Sequence, residues 1–282
     1  MKKKRIRIII QYMFLSVSGF VMLYPLIWMF SATFKTNSEI FGSISLFPEN
    51  PVTGGYKNLF NDYGGNINII RAMVNTLIII VPKVIFTVVS STMTAYGFSR
   101  FNFRGKKLLF ALLVFTLFIP DSVMMIPQFI MFSKFGWIDS PFYTALIVPS
   151  LFAFEGYFIF MLVQFMRGIP IELDEAARID GCESWQVLIH IISPVMKPAI
   201  VSCAVFQFIW TSNDFMGPLL YVNTPSAYPL SVFVKLSMDA DSGFQWNRVL
   251  AVSLVSVIPS LIVFFCSQRT FTDGITAGAL KK

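Results

Sequence analysis

A chain of 282 residues that is 55% hydrophobic and 13% charged, with a mean hydropathy of +0.68, does not have the composition of a water-soluble domain. Such a domain carries about 25% charged residues. The net charge of +7 does not indicate a nucleic-acid partner, because no basic patch interleaved with aromatics falls on a polar stretch. Apolar runs near 20 residues, enough to cross about 30 Å of hydrocarbon, place the chain among all-α proteins of the lipid bilayer with several spans.

In chain order, the first span is expected over 8–30, behind the basic residues Lys2, Lys3, Lys4, Arg5 and Arg7. Its apolar run is too long for a signal peptide and no small-x-small cleavage site follows, so it reads as an uncleaved span. The stretch 31–73, with Gly54-Gly55 and Gly64-Gly65, is too long for a tight turn and is expected to pack at the external mouth. Further spans are expected over 74–97, 108–131, 143–166, 199–220 and 249–268, all within one transmembrane domain covering 1–282. A cytoplasmic loop over 167–198 separates spans four and five, and a cytoplasmic tail covers 269–282. The loop 221–248, with Asp239, Asp241, Gly243 and Trp246, falls outside the cell.

Lys and Arg set this orientation. With the N-terminus inside, 15 of the 22 basic residues lie in inner segments and six (Lys35, Lys57, Arg71, Lys134, Lys235, Arg248) in outer ones, with Lys83 inside a span. Both termini are therefore expected in the cytoplasm of a multi-pass cell-membrane protein, and the basic run 100–107 reads as a topology anchor.

Several chemistries lack their residues. There is no G-x-x-x-x-G-K-[ST] phosphate cradle and no G-x-S-x-G elbow. One histidine, His190, excludes a His-Glu-x-x-His zinc site, and Cys182, Cys203 and Cys266 have no paired metal-ligand spacing. Neither a catalytic residue, a metal site nor a cofactor is expected in this chain.

Ionisable residues inside spans are costly and often functional. Lys83, Asp121, Glu155 and Asp214 qualify. Sugars need hydrogen-bonding groups beside apolar or aromatic faces, a mixture that Gln207, Trp210, Asn213 and Asp214 supply. These four, with Asp121 and Glu155, are the expected lining of a solute pathway. The plainer alternatives are that Lys83, Asp121 and Glu155 pair between spans, and that Asp214 caps a broken helix. Met124-Met125 reads as core or lipid-facing.

The stretch 170–198 (PIELDEAARIDGCESWQVLIHIISPVMKP) crowds Glu172, Asp174, Glu175, Asp180 and Glu183 between two apolar spans. Pro170 suits a first helical turn, and the early carboxylates favour the positive end of the helix dipole. Ala176 and Ala177 are small and permit close approach, and Gly181 is a natural stop. A second helix should bury Trp185, Val187, Leu188, Ile191 and Ile192 on one side before Pro194 and Pro198. By composition alone this could be an ordinary loop lying on the bilayer surface.

The spacing of Glu175-Ala176-Ala177, Gly181, Ile191 and Pro194 resembles the EAA loop of ABC-importer permeases. The run 169–181, Trp210 with Asn213-Asp214-Phe215, Tyr228-Pro229-Leu230, Lys134-Phe135-Gly136, and the tail Gly274-Ile275-Thr276-Ala277-Gly278-Ala279-Leu280-Lys281 are similar to the permeases of maltose-type carbohydrate importers. Ser193 departs from the leucine usual there, and Glu155 is unusual for that family.

The resemblance implies a type I importer permease of six spans. Glu172, Asp174, Glu175, Ala176, Ala177, Asp180 and Gly181 would seat in an ATP-binding subunit. Gly274, Thr276, Gly278 and Lys281 would touch the same ATPase pair. ATP would bind only that separate subunit. The partners implied are a second permease forming a heterodimer, two ATP-binding subunits, an extracytoplasmic solute-binding protein and a sugar or oligosaccharide. Two rivals remain at this stage: the same machinery carrying a polyol, a glycerol phosphate or a uronide oligomer, and an ATP-independent secondary transporter.

Overall fold

A computed structural model describes the backbone of residues 2–62, 67–238 and 245–279, and the side chains of all of these except 2–4 and 269–279. Its regular elements are helical. They run α1 (Lys2–Ala32), α2 (Asn37–Gly42), α3 (Gly54–Lys57), α4 (Ile69–Arg100), α5 (Lys106–Thr116), α6 (Asp121–Lys134), α7 (Thr144–Leu151) and α8 (Gly156–Arg167). There follow α9 (Glu172–Ile179), α10 (Ser184–Gln186), a π-helical turn (Val187–Ile192), α11 (Ser193–Val195), α12 (Lys197–Asn213), α13 (Met216–Tyr221), α14 (Leu230–Leu236) and α15 (Trp246–Ala279).

Among the described residues, four stretches are long and apolar enough to cross a bilayer: Arg5–Ala32, Ile69–Arg100, Thr144–Arg167 and Trp246–Gln268. Two bent pairs bring the total to six if each counts as one span: α5 with α6, at 103°, and Ser184–Val195 with α12, at 82°. The stretch 108–131, expected as one straight span, is thus two helices meeting at the turn before Asp121. The stretch 143–166 is interrupted as well. Between α7 and α8 the backbone leaves the helix, and Ala153 takes a φ of 53°. In 199–220, α12 ends at Asn213 and α13 starts again at Met216. Broken backbone at membrane depth is tolerated where it lines a cavity or is buried in protein.

The chain divides into two compact units, Met1–Ile70 with Phe233–Ile258, and Arg71–Val232 with Pro259–Lys282. In the first, the segment after α1 packs on the start of α15. Phe41 meets Trp246 edge-on at 5.4 Å, and the Trp246 N–H donates to Asn37 Oδ1 at 3.0 Å. Gly55 has no room for a side chain, since a Cβ there would lie 2.8 Å from the Asn247 carbonyl oxygen. Lys35 is fully buried and donates to the Ser45 carbonyl. Gly64, Gly65, Asp239, Asp241 and Gly243 lie outside the described residues.

Among the described residues, two apolar cores lie in the second unit. One gathers Tyr96 of α4, Phe158, Leu162 and Met166 of α8, Ala177 of α9, Val187 and Ile192 of the π turn, and Ala199 and Cys203 of α12. The other joins Ile79, Phe132, Tyr143, Leu146 and Tyr221. Beyond it, Asp139 ties the α6–α7 loop to the stretch after α13. Its N–H donates to the Tyr221 carbonyl at 2.8 Å. Its carboxylate accepts from the N–H groups of Asn223 and Thr224, each at 2.9 Å, and from the Thr224 hydroxyl at 2.7 Å.

These bonds, the Thr224 hydroxyl foremost, hold the Asp139 carboxyl below the usual carboxylate range. A depressed folded-state pKa means the tie is fully present above the unfolded value of about 3.9 and is lost as pH falls through the folded one. Amide exchange at Asn223 and Thr224 should therefore be pH-insensitive in intrinsic protection from neutrality down to about pH 4 and lose protection only below it. Asp139→Ala should remove the protection already at neutral pH. Unaltered protection in that variant would show that the loop is held by other means.

Candidate functional site

Three helix breaks place carboxylates around one cavity of about 560 Å³. Asp121 is the first residue of α6, Glu155 immediately precedes α8, and Asp214 follows α12. All three line this cavity with Lys83, Gln207, Trp210 and Asn213. Every residue expected on the solute pathway thus meets the same space. Sequence reasoning passed over Met125, Gln128, Thr211 and Tyr221, which also line the cavity. Met125 carried only a core signal, and the others carried none that distinguishes a cavity wall from a packed face.

Asp214 has two roles. Its Oδ1 accepts from the Gly217 N–H at 2.9 Å, which caps α13, and its carbonyl accepts from the Ser231 hydroxyl at 2.7 Å. Gly217 makes this possible, because a Cβ at 217 would come within 2.5 Å of Asp214 Oδ2. Trp210 packs against Tyr157 at 5.1 Å and Phe158 at 5.0 Å while a large part of the ring stays exposed. Gln207 is 1% exposed; its Nε2 donates to the Thr211 hydroxyl at 3.1 Å and its Oε1 has no partner. Hydrogen-bonding groups beside an aromatic face form a site suited to a polyhydroxylated solute. Among the described residues no group of three or more His, Cys, Asp or Glu is placed to hold a metal ion.

The 170–198 stretch has one side held by the rest of its unit and the other free of it. The helix α9 presents Glu172, Glu175, Ala176 and Asp180 to the outside, with Ile179 88% exposed. Asp174 and Ala177, three residues apart and so on one face, point the other way. Asp174 is 2% exposed and its Oδ2 lies 3.1 Å from Arg100 Nε at the end of α4. The Arg100 guanidinium also donates to the Ile169 carbonyl at 3.0 Å. Arg100 is therefore a buried side-chain partner of the loop, and Asp174 and Ala177 face the interior and position α9.

Gly181 ends α9 with a φ of 87°. Its N–H donates to the Arg178 carbonyl at 3.1 Å and the Cys182 N–H to the Ala177 carbonyl at 2.9 Å, the paired bonds of a Schellman stop. A Cβ at 181 would meet nothing within 4 Å. The following turn is π-helical, so Val187 and Ile192, five apart, share the buried side. Trp185, expected on that side, is 55% exposed, and its Nε1 donates to Glu183 Oε2 at 2.8 Å. The C-terminal segment is helical through Ala279, so Gly274, Thr276 and Gly278 continue α15; their side chains and the whole of Lys281 lie outside the described residues.

The family described as binding-protein-dependent transport system inner membrane component matches residues 87–275. The chain belongs to this family. It is 30% identical over 283 residues to the galactooligosaccharides transport system permease protein GanQ of Bacillus subtilis, covering 100% of this chain and 98% of that protein. It is also 30% identical over 278 residues to the trehalose/maltose transport system permease protein MalG of Thermococcus litoralis, covering 99% and 97%. Its fold matches a chain of a bacterial ABC transporter involved in the import of the acidic polysaccharide alginate, at a TM-score of 0.80 and 21% identity over 96% of this chain and 98% of that one. The permease is thus a multi-pass inner-membrane component of a binding-protein-dependent transport system.

Two substitutions separate the loop's internal supports from its outer surface. Asp174→Ala should strand the Arg100 charge and cost on the order of 3–5 kcal/mol, while a joint replacement of Arg100 and Asp174 by leucine should recover most of it. Thermal unfolding in detergent reads both; equal loss in the single and double variants would deny the pair its role. Gly181→Ala should cost roughly 1–2 kcal/mol through its left-handed backbone. Gly181→Asn, which tolerates that backbone, should cost less. If Gly181→Asn folds normally yet loses uptake, a partner surface must press on position 181.

Proposed function

We propose that this chain is one permease subunit of an ATP-driven importer of a sugar or oligosaccharide. The observation that carries the reading is the continuity between the two ends of the site. The helix α8 starts just after Glu155 on the cavity and ends at Arg167 before α9; α12 starts at Lys197, at the end of the loop, and ends at Asn213 on the cavity. The apolar core around Phe158, Leu162, Val187 and Met196 binds both helices to α9. A displacement of α9 is therefore delivered to the cavity wall. The sugar permeases among the relatives support the cargo class.

In this reading a second permease completes the pathway and two separate ATP-binding subunits supply the motor. The chain itself carries no catalytic site and binds no nucleotide, in keeping with its lack of a phosphate cradle. Glu172, Glu175, Ala176, Asp180 and Gly181 meet the ATPase, with Gly274, Thr276, Gly278 and Lys281 as a second contact, and both termini lie in the cytoplasm. An extracytoplasmic binding protein delivers the sugar. Closure of the ATPase pair biases the permeases between two arrangements.

Purification of the tagged chain in mild detergent tests this. An ATPase and a second permease should co-elute, and hydrolysis should rise when the binding protein and one sugar are added. A chain that elutes alone and moves solute into liposomes without ATP would overturn the proposal.

A further inference from the structure

The segment that follows α1 turns large apolar side chains outward. Phe41 is 70% exposed, Ile44 91% and Phe47 76%. An exposed apolar patch of this kind marks a protein or a membrane contact. The acid within the same stretch, Glu39, is turned inward, where its carboxylate accepts from the Glu49 N–H.

The position of the patch is fixed by two spans. The stretch Arg5–Ala32 is long and apolar enough to cross a bilayer, and so is Trp246–Gln268. Phe41 packs edge-on against Trp246, the first residue of the second of these, and the Trp246 backbone N–H donates to Asn37 Oδ1. Tryptophan at the end of a span sits at the level of the lipid headgroups. The α2 helix and the loop behind it are thus attached where α1 leaves the hydrocarbon and α15 enters it.

A second observation separates lipid from a water-borne partner. The carbonyls of Ser45, Leu46 and Phe47 accept from Lys35 Nζ, Ser31 Oγ and Ser45 Oγ respectively, the last at 2.8 Å. The N–H groups of Ser43 and Ser45 donate to the Glu39 carbonyl at 3.2 Å and to Ser43 Oγ at 3.1 Å. Residue 48 is a proline and has no N–H to satisfy. A loop in water can leave such groups to the solvent, whereas a loop against hydrocarbon must satisfy them within the chain. Even the fully buried Lys35 turns its ammonium inward to a carbonyl of this loop. The polar atoms of the loop are spent internally, and its apolar side chains are what it offers outward.

We infer that Phe41, Ile44 and Phe47 insert into the headgroup–acyl boundary of the leaflet at which α1 ends, so that 37–49 is an interfacial anchor whose partner is the phospholipid bilayer. Buried apolar area drives such insertion. The anchor sets the depth of the unit that holds α1 and the start of α15. It requires only that these two helices span the membrane, and it is independent of the cargo and of the motor.

The test uses the complex that co-purifies with the full chain, in nanodiscs of phosphatidylethanolamine and phosphatidylglycerol. The photo-crosslinking residue p-benzoylphenylalanine replaces Phe41, Ile44 or Phe47 in turn, and the exposed Lys57 as a control. These side chains point outward, so the substitutions leave the packing intact. After irradiation, mass spectrometry separates phospholipid adducts from protein adducts. Each of the three positions should give at least about fivefold more phospholipid adduct than Lys57. Ile44→Asp should lower the phospholipid adduct of the probe at Phe47 at least about threefold, because a carboxylate resists the acyl boundary. Addition of the binding protein should leave the yields unchanged. Adducts to a second permease or to the binding protein in place of lipid, a phospholipid yield no higher than at Lys57, or no response to Ile44→Asp would overturn the inference. None of these readouts depends on uptake or ATP hydrolysis, so the import reading stands or falls apart from them.

Discussion

The buried pair between Arg100 and Asp174 is the constraint on which the 170–198 loop depends. Burying either charge alone would be expensive, so the end of α4 and the inner face of α9 are committed to each other. The same arginine also holds the Ile169 carbonyl at the approach to α9. With Ala177 buried beside Asp174, the inner face of α9 is fully used, and only the outer face remains for a partner. This divides the carboxylates of the loop by geometry: Glu172, Glu175 and Asp180 face outward on a surface that also exposes Ile179, while Asp174 is structural.

The second organising feature is the interruption of helices at the cavity. A straight helix spends its backbone groups on itself and offers only side chains. At 152–155, before Asp121 and after Asn213, the chain instead brings helix starts to the cavity. The interruption with the clearest local logic is the one after Asn213, where Asp214 accepts from the Gly217 N–H at the start of α13 and the missing side chain of Gly217 admits that carboxylate. Capping and cavity lining are thus compatible in one residue, because only one oxygen is used by the Gly217 N–H.

Much of this was legible in the sequence because the bilayer enforces it. Hydropathy marked the long helices α1, α4 and α15, and the cost of a charge in hydrocarbon singled out Lys83, Asp121, Glu155 and Asp214, which share one cavity. Pro170, the early acids and Gly181 marked the bounds of α9. What could not be read depends on tertiary pairing or on an irregular period. Nothing local distinguishes Arg100 from its basic neighbours; only Asp174, far along the chain, makes it a buried partner. Trp185 falls outward because the π turn does not follow the 3.6-residue period used to place it. The break at 152–155 contains no proline or glycine to announce it, and neither the alanine at 153 nor its positive φ could be anticipated from residue type.

The stiffness of the connection follows from these same details. Close-packed interiors transmit displacement because they cannot absorb it. Between α9 and the cavity, α8 is 12 residues long and α12 is 17, about 18 and 25 Å of helix, and both are welded to α9 by one apolar core. The compliant elements lie at the ends of these rods: the unwound 152–155 segment, the π turn with its 82° bend into α12, and the gap between Asn213 and Met216. A rod with a joint at each end converts translation at one end into reorientation at the other. Glu155 and Asp214 sit at the ends of these rods nearest the cavity.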